Sequence, residues 1–223
     1  MVRQLIDRVS AVIREEGPTA VLAKMASVAT QMFHYHGPDN FDADLHVETS
    51  RTVPLWRLRI PSKNASFGSK YQTTDPEVFL KAVRMVPSDF RDFTFIDLGC
   101  GKGRTLILAS KEGVRRVIGV EFSPELAAIA RQNLDQVGVS AEIVEIDASR
   151  FSFVDGNLLI YLYNPFGRSV MRSVIANLVE WRSTHQNQAF LVYINPACGP
   201  EIDSSGAFEF LTSCEQLSIW KLR

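Results

Sequence analysis

Short apolar runs alternate with longer amphipathic ones along the second half of the chain: Phe93–Leu98, Thr105–Lys111, Arg116–Glu121, Pro124–Gln136, Ala141–Ile146, Leu158–Tyr163, Gly167–Trp181 and Ala189–Ile194. The short runs predict strands, and the longer ones, apolar at helical spacing, predict helices. Only a loop separates the third strand from the fourth. Strands alternating with helices indicate a parallel sheet covered on both faces. The tail, Phe208–Ser213 and Leu217–Leu222 around Cys214-Glu215-Gln216, adds two β segments and predicts a closing antiparallel hairpin. The expected fold class is therefore α/β, a Rossmann-like seven-stranded sheet, mostly parallel, with helices on both faces. Punctuation agrees: Asp75-Pro76 and Ser123-Pro124-Glu125 are helix starts, and Gly113 and Gly138 follow helix ends.

Upstream the pattern changes. Residues 3–33 read as two amphipathic helical stretches, with Leu5, Val9 and Val12 before Gly17-Pro18 and Val21, Met25, Val28 and Met32 after it. From His34 to Lys70 the chain is polar with scattered Pro and Gly, which predicts a long ordered loop with one short strand at Val53–Ile60. The expected division is 1–70, N-terminal helices and a substrate-lid segment, followed by one α/β domain over 71–223.

Composition narrows the function classes. Of 223 residues, 46% are hydrophobic and 22% charged, as in soluble globular proteins, and no apolar run approaches the roughly 18 residues of a membrane span. The N-terminus lacks the uninterrupted apolar centre of a secretory signal, so the expected location is cytoplasmic. Cys100, Cys198 and Cys214 have neither paired nor metal-ligand spacing. A net charge of -1 supplies no global field for a polyanion, so bulk nucleic-acid binding is not expected. One local run is basic, with Arg51, Arg57, Arg59, Lys63 and Lys70 and no acid between them; it reads as a solvated segment or an anion patch. His34, His36, Asp39, Asp42, Asp44 and His46 carry metal-ligand side chains, but at no recognised metal spacing, and read as a polar loop.

The chemistry concentrates where the first predicted strand ends. Asp97 runs into Gly99, Cys100, Gly101, Lys102 and Gly103, so three residues without side chains occupy the turn from strand to helix and a ligand can approach the backbone. The next strand ends in Glu121, where a carboxylate can accept both hydroxyls of a ribose. Phe122 beside it either covers an adenine face or packs in the core. Asp147-Ala148 follows the third strand, where an acid can accept from an adenine amino group. Two details separate the candidate ligands. The glycines are spaced G-x-G-x-G rather than G-x-G-x-x-G, and Asp97 suits the amino group of a methionine moiety but repels a pyrophosphate. Both favour S-adenosylmethionine (SAM) over NAD.

These segments, Phe95-Ile-Asp-Leu-Gly-Cys-Gly-Lys-Gly-Arg, Gly119-Val-Glu-Phe-Ser-Pro-Glu-Leu, Glu145-Ile-Asp-Ala and Asn164-Pro-Phe, resemble the successive motifs of class I SAM-dependent methyltransferases. The resemblance covers 71–223, about two thirds of the chain. It implies that Asp97, Gly99 and Gly101 contact the methionine part of SAM, with Cys100 and Gly103 in the same loop. Glu121 and Phe122 would meet the ribose and adenine, and Asp147 with Ala148 the adenine. Asn164-Pro165-Phe166 is similar to the Asn/Asp-Pro-Pro-aromatic motif of enzymes that methylate exocyclic amines or amides, with one proline missing. That similarity implies that Asn164 lies by the donor and orients an acceptor nitrogen. Tyr71-Gln72-Thr73-Thr74 resembles the Tyr-x-Pro-Thr/Ser segment of some protein-lysine methyltransferases, again without the proline, and implies Tyr71 over the sulfonium. The implied activity is methyl transfer from SAM to an unidentified acceptor. A non-catalytic SAM-binding protein and an NAD-dependent oxidoreductase are the alternatives.

Overall fold

The computed structural model describes Ser10, Ile13, residues 39–51, Val53, Leu58 and residues 73–223. The N-terminal helical stretches and the strand expected at Val53–Ile60 lie, isolated positions aside, outside the described residues. Seven strands form one sheet: β1 (Phe93–Leu98), β2 (Arg116–Glu121), β3 (Glu142–Glu145), β4 (Asn157–Tyr163), β5 (Ala189–Ile194), β6 (Phe208–Cys214) and β7 (Leu217–Leu222). Their order is β3-β2-β1-β4-β5-β7-β6. The first five are parallel; β7 runs antiparallel to β5 and β6 antiparallel to β7, so the hairpin expected at the C-terminus closes the sheet. β1, β2, β5 and β7 have the bounds the apolar runs predict, and β1 and β5 are buried at every position, as strands covered on both faces are.

Six helices accompany the sheet among the described residues: α1 (Asn40–Leu45), α2 (Pro76–Arg84), α3 (Arg104–Lys111), α4 (Pro124–Val137), α5 (Arg168–Thr184) and α6 (Gly199–Ser204). On one face Phe79, Ala82, Leu106, Ile107 and Leu134 pack against Phe95, Leu159 and Val192 of the strands. On the other, Val174, Leu178 and Ile202 pack against Ile96, Ile160 and Leu191. Capping fixes where helices begin: the Asp75 carboxylate accepts the amides of Glu77 and Val78, and Ser123 Oγ accepts that of Leu126. α1 corrects the reading of 34–70 as loop, and α6 was not anticipated. Both are only six residues long, too short to show a helical period.

Gly119 shows how tightly the sheet and α3 meet. A Cβ there would stand 2.6 Å from Leu106 Cδ1 and 2.7 Å from Cys100 Sγ, both buried. Gly119→Ala is expected to lower unfolding free energy by about 1–3 kcal/mol through overpacking, read from urea denaturation midpoints.

Candidate functional site

Parallel strands carry their functional residues at their C-terminal ends, and the order reverses between β1 and β4, which opens a crevice there. β1 ends beside that crevice and turns through Gly99, Gly101 and Gly103, with φ of 92°, 54° and 84°, a region that favours glycine. The amides of Gly99 and Cys100 both donate to the Val120 carbonyl, at 2.8 and 3.1 Å, which ties the loop to β2. The positive end of α3 faces the loop.

Two buried carboxylates frame this turn. Asp97 on β1 pairs in register with Gly119 and Tyr161 and accepts a short hydrogen bond from the Thr105 hydroxyl. Burial, with the neighbouring Glu121 charge adding to it, pushes its carboxyl from an ordinary 3.8 up to about 7, although the Thr105 bond opposes the shift. Glu121, at the end of β2, accepts the Gly101 amide on one oxygen and the Ser123 amide on the other, both at 2.9 Å. Burial raises it from 4.5 to about 7 against those hydrogen bonds. Among the described residues neither carboxylate is ion-paired.

Beyond Glu121 a cleft of about 340 Å³, including its open mouth, is lined by Gly99, Val120, Phe122, Ile146, Asp147, Ala148, Pro165, Phe166 and Val170. Its walls are apolar apart from Asp147, whose Oδ1 accepts the Ser149 amide at 2.9 Å and its hydroxyl at 2.7 Å. Asn164 leaves β4 with φ 42° and its side-chain oxygen accepts the Tyr193 hydroxyl at 3.3 Å. That bond fixes which end of the amide points where. Tyr193 in turn is approached by the Cys198 amide at 3.4 Å.

The fold thus brings Asp97, Gly99, Gly101, Gly103, Glu121, Phe122, Asp147, Ala148 and Asn164 to one edge of the sheet. Cys100 is there too, but its side chain packs in the core and its amide and carbonyl are spent on Val120 and Gly103. Tyr71 lies outside the described residues, as do His34 and His36.

Residues 95–181 match the family model described as a methyltransferase domain. Over that stretch the chain is similar to methyltransferases. The methyltransferase domain is 33% identical over 108 residues to a ribosomal protein L11 methyltransferase of Pasteurella multocida, covering 46% of this chain and 36% of that protein. It is 39% identical over 69 residues to one from Thermosipho africanus, covering 31% of this chain and 26% of that protein. The chain spans about a third of the length of these curated relatives. Among solved structures, a Thermus thermophilus 16S rRNA N2 G1207 methyltransferase in complex with AdoMet and guanosine shares the fold, with TM-score 0.51, 22% identity, and 68% of this chain and 43% of that one covered. No described helix is long and apolar enough to cross a membrane.

Sequence reasoning missed a second set of residues around the same loop. In the sequence Arg104 only interrupts the dinucleotide spacing, and Asp39 and Asp42 belong to a polar loop. In the fold Arg104, 3% exposed, holds both aspartates: Nη1 and Nη2 donate to Asp39 at 2.6 and 2.8 Å, and Nη2 to Asp42 at 2.9 Å. Burial pushes the Asp42 carboxyl up, but the hydrogen bonds from Thr49 and Ser50 outweigh it and hold it below the ordinary value. Among the described residues no three His, Cys, Asp or Glu side chains gather as metal ligands. No sequence signal joins partners 65 positions apart.

Proposed function

We propose that this protein transfers a methyl group from SAM to a nitrogen acceptor, with the donor lying across the ends of β1, β2 and β3 and the acceptor approaching over β4. The observation that carries the reading is the pair of buried carboxylates, Asp97 and Glu121, neither ion-paired among the described residues, beside an apolar slot. That set suits a ligand with a cationic amino-acid end, a ribose diol and a flat purine. A pyrophosphate would set like charges together in a site that already disfavours charge, which argues against NAD. The cradle also fits, since a Cβ on Gly99 would collide with Pro165 at 2.5 Å.

SAM supplies an electrophilic methyl on a sulfonium, and attack on it needs orientation and a dry site more than acid–base chemistry. Asp97 would hold the amino group, the Gly99–Gly103 backbone the methionine end, and Glu121 the ribose hydroxyls through lone pairs its backbone partners leave available. Phe122, Ala148 and Asp147 would receive the adenine. Asn164 would accept an N–H of the acceptor through its side-chain oxygen, directing the nitrogen lone pair toward the methyl. The parts of residues 1–70 not packed against Arg104 and Lys102 would form the acceptor-side lid, with Tyr71 at its junction with the 71–223 domain.

The relatives are named for a ribosomal protein and for rRNA, so protein nitrogen and nucleobase nitrogen are the classes to screen first. SAM and S-adenosylhomocysteine (SAH) are expected to raise the melting temperature, and NAD is not; the reverse result overturns the reading. With an acceptor in hand, Asn164→Ala is expected to cut kcat about 100-fold while the SAH Kd stays within twofold. Unchanged kcat removes Asn164 from the mechanism but leaves donor binding standing. A SAM-binding protein without catalysis predicts donor binding and no SAH release with any acceptor.

A further inference from the structure

The glycine loop is gripped from outside by a segment that precedes the methyltransferase core. Asp39 caps α1 by accepting the Asp42 amide at 3.0 Å, and the same carboxylate takes the two Nη groups of Arg104. Asp42, 2% exposed, accepts the amides of Thr49 and Ser50 at 2.8 and 2.7 Å as well as Arg104. Arg104 Nε donates to Thr49 Oγ1 at 2.6 Å, and its guanidinium lies 4.6 Å from the centre of the Phe41 ring. Residues 39–49 thus hold this guanidinium through Nε, Nη1 and Nη2 and stack a ring beside it.

Two positions earlier the same segment grips again. Lys102, wholly buried, is ion-paired with Glu48. Asn133 of α4 locks that contact: its Oδ1 accepts the Glu48 amide at 3.0 Å, and its Nδ2 donates to the carbonyls of Glu48 and Lys102 at 3.1 and 2.9 Å. The segment thus holds the side chains on both sides of Gly103, the last left-handed residue of the loop.

We propose that residues 39–51 form a strap that sets the donor-binding shape of the Gly99–Gly103 loop, with Arg104 and Lys102 as positioning residues for SAM. The inference rests on the donor-site reading above. A loop of three left-handed glycines has wide conformational freedom, and amides that must converge on a ligand need that freedom removed before binding. The strap removes it by pairing two buried cations, Lys102 and Arg104, with carboxylates that lie outside the sheet. Coupling of this kind is reciprocal: if the docked strap favours the donor, the donor favours the docked strap.

The test is calorimetric titration with SAH of the unaltered chain, Arg104→Lys, Glu48→Gln and, as a control, Leu178→Ala on the opposite face of the sheet. All are measured at a temperature where circular dichroism shows them folded. Arg104→Lys keeps the charge but loses the two-pronged grip, and Glu48→Gln strips the partner of Lys102 from a half-exposed position, so at least one variant is expected to fold. Both are expected to weaken SAH binding about tenfold, within the span typical of coupled sites. Leu178→Ala lowers the melting temperature and leaves the Kd alone. In hydrogen exchange, SAH slows the Thr49 and Ser50 amides of the unaltered chain but not those of Arg104→Lys. Wild-type affinity in both folded variants, or strap amides indifferent to SAH, overturns the inference while the donor site stands. Failure of the unaltered chain to bind SAH or SAM sinks the donor-site reading and this inference with it.

Discussion

SAM binding is expected to release protons below about pH 7 and to tighten as pH rises to that value. In the free protein Asp97 and Glu121 are both raised to about 7 by burial, so at pH 6 each is largely protonated. An ammonium held by Asp97 and ribose hydroxyls donating to Glu121 favour the ionised forms, and those pKa values fall on binding. Affinity should therefore climb by up to about tenfold per pH unit for each coupled group, then level off above 7. The free protein behaves oppositely. Its folded-state values lie above the ordinary 3.8 and 4.5, so the fold retains protons that the unfolded chain gives up from about pH 4 upward. That contribution to stability is complete below the ordinary values and lost as pH rises through 7. The two trends together mean that the melting-temperature gain from SAH is small at pH 5.5 and large at pH 8. Titration in buffers of different ionisation enthalpy counts the protons directly. Asp97→Asn should weaken binding and flatten its share of the slope; a slope unchanged in that variant, or no release at pH 6, removes Asp97 from the ligand contact.

Among the described glycines, Gly99→Ala should be the most damaging added methyl. The residue has φ 92°, and the new Cβ would stand 2.5 Å from Pro165 Cβ. Left-handed strain and overpacking together are expected to cost about 2–5 kcal/mol, read from urea midpoints. Gly113 has a similar φ of 78° but nothing within 4 Å of an added Cβ, so Gly113→Ala isolates the strain and should cost about 1 kcal/mol. The difference between the two variants is the collision with Pro165. Because Gly99 and Pro165 both line the cleft, relief of that collision reshapes it, and Gly99→Ala alone should also lose SAH affinity. Equal losses of stability in the two variants would mean that the Asn164-Pro165 turn yields freely.

What was legible in the sequence follows from which forces are local. The strand runs, the caps at Asp75 and Ser123 and the loop glycines are each dictated by a few adjacent residues, so the parallel sheet and the edge that carries the candidate site could be read directly. The order of the strands, and hence the meeting of Pro165 with Gly99 across β1 and β4, follows from general rules of α/β connection. The strap could not be read. Asp39, Asp42 and Glu48 look like polar loop residues because the buried cations that need them sit far along the chain, and charge complementarity over that distance leaves no periodicity. The same holds for Tyr193, an apolar-strand aromatic whose hydroxyl proves to orient Asn164.

Thr73 Oγ1 donates to the carbonyls of Thr49 and Ser50, at 2.9 and 3.2 Å, so the chain comes back beside the point where it left the strap. Residues 51–72 are thus an excursion whose two ends are already pinned together. Lengthening such an excursion is thermodynamically cheap, since doubling a closed loop costs only about 0.6 kcal/mol. Ser50 and Thr73 thus mark where added length costs the sheet least.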